Sequence, residues 1–249
     1  MAIPATFPGF PPEYERFYSQ LKRHNEKAWF DEHRDDYEDY VLGPAREFVA
    51  VMGRRLRKVA PGIHADPRVN RSIFRIHRDT RFSPDKTPYK THLALWFWEG
   101  KGRRMECSGF YFHLEPSHLM LGVGIYLFPK PYLSEYRNSV VDPKHGRSLA
   151  QAVARVTKIR DCRIGGHHYR RIPRGFDPEH RNAEFLKFNG LYAGIQTKIP
   201  RELHTPRIID YCYERYRAMA PLHRWLLALT ERGPAAQVRG DVQRRRAEP

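Results

Sequence analysis

From His118 to Phe128 the chain reads "HLMLGVGIYLF", with Leu119, Leu121, Val123, Ile125 and Leu127 at every second position. A period of two sets one face of a strand against a core, so this run predicts a strand packed on helices. It contains the longest apolar stretch of the chain, and it falls far short of the roughly 20 residues that a membrane-spanning helix needs. Three β-rich runs precede it, "RSIFRIHR", "THLALWFWE" and "MECSGFYFHLE". The turns "EGKGR" and "EPSH" between them are short enough for antiparallel hairpins. In "THLALWFWE", Ala94, Trp96 and Trp98 share one face and Leu93, Leu95 and Phe97 the other, which predicts a central strand covered on both sides. Trp29, Phe30 and Tyr37, like Trp96 and Trp98, are expected in the core.

On either side of these strands the apolar period returns to three and four. "PPEYERFYSQLKRH" starts on prolines suited to a helix N-terminus and spaces Tyr14, Phe17, Tyr18 and Leu21 along one face. "NEKAWFDEHRDDYEDYV" predicts a second helix, which Gly43-Pro44 is expected to break. A third carries Phe48, Val51, Met52, Leu56 and Val59. After the strands, "PYLSEYRNSVV" and "GRSLAQAVARVTKI" are helical. The stretch from Gly165 to Ile199 reads as short strands and loops, with one helical turn at "NAEFLKF". A long final helix starts from Thr205 and Pro206 and is expected to kink or split at Pro221. Helices, then sheet, then helices predict a single α+β domain over residues 1–233, with an antiparallel-rich mixed sheet flanked by N-terminal and C-terminal helices. Residues 234–249 have no apolar periodicity and predict a disordered basic tail whose removal leaves the melting temperature nearly unchanged.

A chain of 249 residues, 41% hydrophobic and 13% aromatic, can bury a sizeable core. Its net charge is +16. Acids outnumber bases up to Ala50, whereas bases dominate from Arg68 to Arg104 and again from Arg155 to Lys187. Basicity over a folded middle attracts polyanions. Cys107, Cys162 and Cys212 are far apart, odd in number and without a CxxC pair, which predicts reduced thiols. The N-terminus lacks the basic and apolar regions of a signal peptide. Together these features predict a cytoplasmic protein with no membrane attachment; the oligomeric state is not legible.

The densest charge lies in "FRIHRDTRFSPDKTPYKTH", Phe74 to His92, with five cations, two carboxylates and two histidines. In an extended "SIFRIHRD", Phe74 and Ile76 face the core while Arg75, His77 and Asp79 face away. Ser-Pro and Thr-Pro stiffen the loop that follows. Arg75, Arg78, Arg81, Lys86 and Lys90 are the candidate donors to phosphate oxygens, and Tyr89 the candidate for a hydrogen bond or for stacking on a base. Against a binding role stands a salt-bridge lattice in which Asp79 and Asp85 brace the same cations. Asp79 is expected to be more buried than an average surface aspartate and to accept from at least one of Arg78, Arg81 and Lys86.

The segments "LKRHNEKAWFDEHRDDYEDYVLGPAREFV", "IFRIHRDTRFSPDKTPYKTH" and "GFYFHLEP…LGVGIYLFPKPYLSEYR" resemble the bacterial family of conserved hypothetical proteins called domain of unknown function 2461. Its marks fall on Asn25, Trp29 and Phe30, then on Arg78, Asp79, Arg81, Phe82, Ser83, Asp85, Lys86, Pro88, Tyr89 and Lys90. The likeness runs to about the end of the last helix. A late block, "PRGFDPEHRNAEFLKFNGLYAG", is also similar, with His180-Arg181 where Asp-His-Pro is more usual. The resemblance implies no activity.

No P-loop, GxGxxG or GxSxG is present, and neither Ser83 nor Ser108 has a base marked in the sequence. His77, His92 and His113 with Asp79 are of metal-ligand type, but there is no HxH or HExxH, and neither a metal site nor a cofactor is expected. The leading expectation is a basic cleft that binds a phosphate-bearing small molecule or nucleic acid. One alternative is a hydrolase of phosphorylated substrates, metal-assisted, with His77, Asp79 and Asp85 as candidate catalytic residues. Another is a protein-interaction module in which the motif is purely structural.

Overall fold

A computed structural model describes residues 6–233; the tail predicted over 234–249 lies outside the described residues. Helix α1 (Glu13–Arg23) buries Tyr14, Phe17, Tyr18 and Leu21 at helical spacing. Glu13 and Glu15 in its first turn and Lys22 and Arg23 in its last complement the helix dipole. The predicted second helix divides at His33 into α2 (Lys27–Glu32) and α3 (Arg34–Tyr37).

Gly43-Pro44 does not break the chain of helices. A π-helical turn over Glu38–Leu42 leads directly into α4 (Gly43–Leu56). The Gly43 N–H donates to the Glu38 carbonyl five residues back. That wider turn places Pro44 in the opening turn of α4, where a missing N–H costs little.

The strands are β1 (Ile63–His64), β2 (Leu93–Glu99), β3 (Ser108–Leu114), β4 (His118–Ile125), β5 (Cys162–His167) and β6 (Phe188–Lys198). They form one antiparallel sheet in the order β1-β2-β3-β4-β6-β5. With helices at both ends of the chain this is the α+β class expected. Every residue of β2 is buried, as its two apolar faces require. The Glu115 N–H donates to the His118 carbonyl at 3.0 Å and closes the β3–β4 turn. Leu119, Leu121, Val123 and Ile125 are buried, but β4 ends there and leaves Leu127 exposed. At Gly124 (φ +143°) a Cβ would lie 2.3 Å from the Leu191 carbonyl oxygen, so only glycine permits this approach of β4 and β6.

"RSIFRIHR" is not a regular strand. It bridges at single residues, Ile73 with Leu95 and His77 with Tyr89. Around the second bridge the Arg78 N–H donates to the Pro88 carbonyl and the Lys90 N–H to the Ile76 carbonyl. Pro88 has no N–H to return a bond to Arg78, so the ladder stops.

Helix α5 spans Lys130–Val141 and α6 spans His145–Thr157. "NAEFLKF" supplies a 3₁₀ turn, Ala183–Lys187. Helix α7 runs from Ile208 to Arg232 as one element with Pro221 inside it, so of the expected kink or split the split does not occur, and it starts two residues after Pro206. No helix among the described residues is long and apolar enough to cross a membrane.

By its backbone contacts the chain groups into two compact units. The first takes in residues 6–97, with Phe110–Leu121 and Ile195–Arg217. Its core is aromatic, with ring centroids 4.8 Å apart for Phe48 and Phe112 and 5.0 Å for Tyr14 and Tyr18. The second takes in Trp98–Gly109, Gly122–Gly194 and residues 218–233. There Phe128 stacks on Tyr136 at 4.6 Å, and the Asn182 amide donates to the Val140 carbonyl at 3.0 Å.

Candidate functional site

Asn25, between α1 and α2, sets the position of the charged motif. Its amide oxygen accepts from the Tyr89 N–H at 3.0 Å and its amide nitrogen donates to the Tyr89 carbonyl at 2.9 Å. The Tyr89 ring, 4% exposed, stacks on Phe30 at 4.3 Å. Tyr89 therefore anchors the loop, and its ring is not free to stack on a base.

Between Arg78 and Lys90 the charges largely satisfy one another. Arg78 donates to the Asp85 carboxylate and to the Thr87 hydroxyl. Asp85 also accepts from the Thr87 N–H at 3.0 Å. That bond and the Arg78 guanidinium hold its carboxyl down at about 2. Lys86 Nζ donates to the Thr80 carbonyl and Lys90 Nζ to the Arg75 carbonyl, each at 2.8 Å. Arg81 grips Asp79 through Nε (2.9 Å) and Nη2 (2.7 Å), and Asp79 too is drawn down to about 2. Asp79 accepts from Arg81 as expected, but it is exposed where burial was expected. It lies on the outer face with Arg75 and His77, where its charge keeps its water. Phe82, beside Arg81, is 94% exposed.

A cleft of ≈ 340 Å³ lies beside the motif, lined by Lys22, Asn25, Arg78, Asp85, Thr87, Tyr89, Lys90, Thr91 and His92. Of the residues expected in a site it gathers Arg78, Asp85, Tyr89 and Lys90. Arg75, His77, Asp79, Arg81 and Lys86 are not among its lining residues. Lys22 was not legible as a partner, because its position on α1 is brought here only by the fold. The cleft wall thus has three cations and one carboxylate. Burial, with His113 adding to it, pulls the His92 imidazole down to about 4.

Next to the cleft His92 stacks on His113 with ring centroids 4.2 Å apart. His113 Nε2 lies 2.9 Å from a Glu115 oxygen, and His113 Nδ1 lies 3.0 Å from the Tyr111 hydroxyl. Burial pushes the Glu115 carboxyl up, but the His113 hydrogen bond and the neighbouring imidazoles outweigh it and leave the carboxyl below its ordinary value. His77 is not part of this group. It bridges with Tyr89 and lies over that ring at 5.1 Å.

In the second unit Ser108 does have an imidazole. Its hydroxyl lies 2.9 Å from His223 Nδ1, and His223 Nε2 lies 2.8 Å from Glu99. No local spacing could reveal a partner 115 residues away. A Ser-His-acid chain invites comparison with a nucleophilic triad, in which the serine normally meets Nε2 and the acid Nδ1. Here the ring is the other way round, and Ser108 and His223 are both 0% exposed. This arrangement is a brace between β2, β3 and α7. The three cysteines are free thiols, and burial raises each above its ordinary value.

The second unit has its own cationic cleft, of ≈ 330 Å³, between α6 and α7. His145, Arg155, Arg224, Trp225 and Arg232 are among its lining residues, and Arg232 Nε and Nη2 are buried with no hydrogen-bond partner among the described residues. No curated protein is significantly similar to the chain. The pattern of a conserved hypothetical protein family, DUF2461, matches residues 13–225, the span that holds the Asn25 clamp and the charged loop. The chain belongs to that family.

Proposed function

We propose that the cleft beside the Arg78–Lys90 loop binds a small phosphate-bearing ligand. The observation that carries this reading is the convergence of Lys22, Arg78 and Lys90 on one cleft that holds a single carboxylate, Asp85. Arg78 is already oriented by Asp85 and Thr87, so its guanidinium is pre-organised to meet an anion. Thr87, Thr91 and Asn25 add polar groups to the wall. A volume of ≈ 340 Å³ suits a small molecule better than a nucleic-acid strand, which needs a long groove with stacking aromatics. A hydrolase acting through His77 and Asp79 is disfavoured, because both lie outside the cleft lining and Asp79 is held by Arg81.

Thermal unfolding in phosphate against chloride at matched ionic strength tests the reading. Phosphate at a hundredfold excess over Kd should stabilise by about 2.7 kcal/mol. Replacing Lys22 and Lys90 together by alanine should abolish that difference and leave the chloride baseline nearly unchanged. No difference between the anions would overturn the proposal. So would a phosphate response that survives in the double variant and disappears in Arg224→Ala, which would assign it to the cleft of the second unit.

A further inference from the structure

We propose that His92, His113 and Glu115 bind one divalent transition-metal ion of the zinc class. Each offers one donor atom, and the three atoms lie within 4.8 Å of one another. Two imidazoles and a carboxylate form a donor set suited to zinc and its neighbours and poorly suited to magnesium or calcium, which take oxygen ligands. Metal–donor bonds of roughly 2.0–2.2 Å bring neighbouring donors to roughly 3–3.5 Å from each other. His113 Nε2 and the Glu115 oxygen, at 2.9 Å, are already close to that spacing, so only His92 has to move inward.

The backbone explains why these donors meet. Tyr111, His113 and Glu115 occupy alternate positions at the end of β3 and its turn, so they share one face. His92 immediately precedes β2, the strand beside β3. The Tyr111 hydroxyl on His113 Nδ1 serves as the outer partner that fixes a ligating imidazole. His118 Nε2 lies 3.5 Å from the same Glu115 oxygen, with its own Nδ1 2.9 Å from the Ser117 hydroxyl. The side chains are half-buried, which leaves an entry route. His92 also lines the cationic cleft, so an ion here would have its open position beside that cleft.

The test uses the full chain, stripped of metal with EDTA and kept in chloride without phosphate. Zinc would be titrated by calorimetry and cobalt(II) by visible absorption. One equivalent of metal per chain is expected. His92→Ala or His113→Ala should weaken binding at least about 100-fold, Tyr111→Phe about 10- to 100-fold, and His77→Ala not at all. Circular dichroism reports whether each variant is folded. Should His113→Ala unfold, Glu115→Gln takes its place, since it keeps a hydrogen-bond acceptor for His113 while removing the anionic ligand. Absence of saturable binding by the parent protein would overturn the inference, as would an affinity left unchanged in folded His92→Ala and Glu115→Gln. The readout needs no phosphate, so it stands or falls separately from the ligand proposed for the cleft.

Discussion

Asp79 is held by Arg81 through two hydrogen bonds, yet their side chains remain 47% and 76% exposed. An exposed ion pair is screened by water and salt and gains little even when its geometry is good. Arg81→Ala should therefore move the melting temperature by no more than about 2 °C, and it should leave the phosphate response intact. A large drop in either would return Arg81 to the centre of the site. Asp85 differs because it orients Arg78 and closes the Thr87 turn. Its folded-state carboxyl is held at about 2, below the roughly 3.9 of an unfolded aspartate. The unfolded chain therefore takes up this proton first as pH falls. The stabilisation is present in full above the unfolded value and is lost as pH drops through about 2. Asp85→Asn should be less stable than the parent at pH 6, with the gap closing towards pH 2 in denaturant titrations. A gap of constant size across that range would show that charge is not its source.

Among the elements, the pair of hydrogen bonds from Asn25 to Tyr89 ties the α1–α2 junction to the charged loop. Asn25→Ala leaves the Tyr89 N–H and carbonyl without these partners in a part-buried place, at a cost of about 2 kcal/mol. It should also weaken the phosphate binding proposed for the cleft, because the loop loses its anchor. Destabilisation well below 1 kcal/mol by chemical denaturation would mean that water replaces the side chain. The helices of this region were legible in the sequence because Tyr14, Phe17, Tyr18 and Leu21 must all reach one core. Their junctions were not. Gly43-Pro44 has the composition of a break, and only the i to i+5 bond from Gly43 to Glu38 shows how the chain continues through it. Similarly, "RSIFRIHR" has the period of a strand, and its exposed Arg75 and His77 and buried Ile76 agree with that period. Its partners, though, are Pro88–Lys90 and Ala94–Trp96, and a proline in the opposing segment interrupts the ladder. The site was legible as a dense run of charge. Which cations share a cleft was not, since Lys22 arrives from α1 and His92 from the edge of β2.

At the scale of the whole molecule, the net charge of +16 is compatible with many partners and selects none of them. The cationic clefts locate part of it, and the buried Glu99–His223–Ser108 chain bears on whether the protein is a serine hydrolase. A nucleophile must meet its substrate, and Ser108 is fully enclosed with the wrong imidazole nitrogen facing it. A buried ion or hydrogen-bond partner also has a consequence for stability. Glu99 is 7% exposed, and removing the imidazole 2.8 Å from it withdraws a compensating partner from a carboxyl group that has little access to water. His223→Ala should therefore destabilise the protein by about 3 kcal/mol, whereas Ser108→Ala, which deletes one neutral hydrogen bond and little volume, should cost about 1 kcal/mol. The two readings separate on a second measurement. A sulfonyl fluoride that modifies nucleophilic serines should leave Ser108 unlabelled in the folded protein, as judged by peptide mass, at concentrations that label a reactive serine completely. Labelling of Ser108 that disappears in folded His223→Ala would instead show that the enclosure opens and that His223 activates the hydroxyl. The brace would then be a hydrolytic site, and the search for a substrate would move from the first unit to the second.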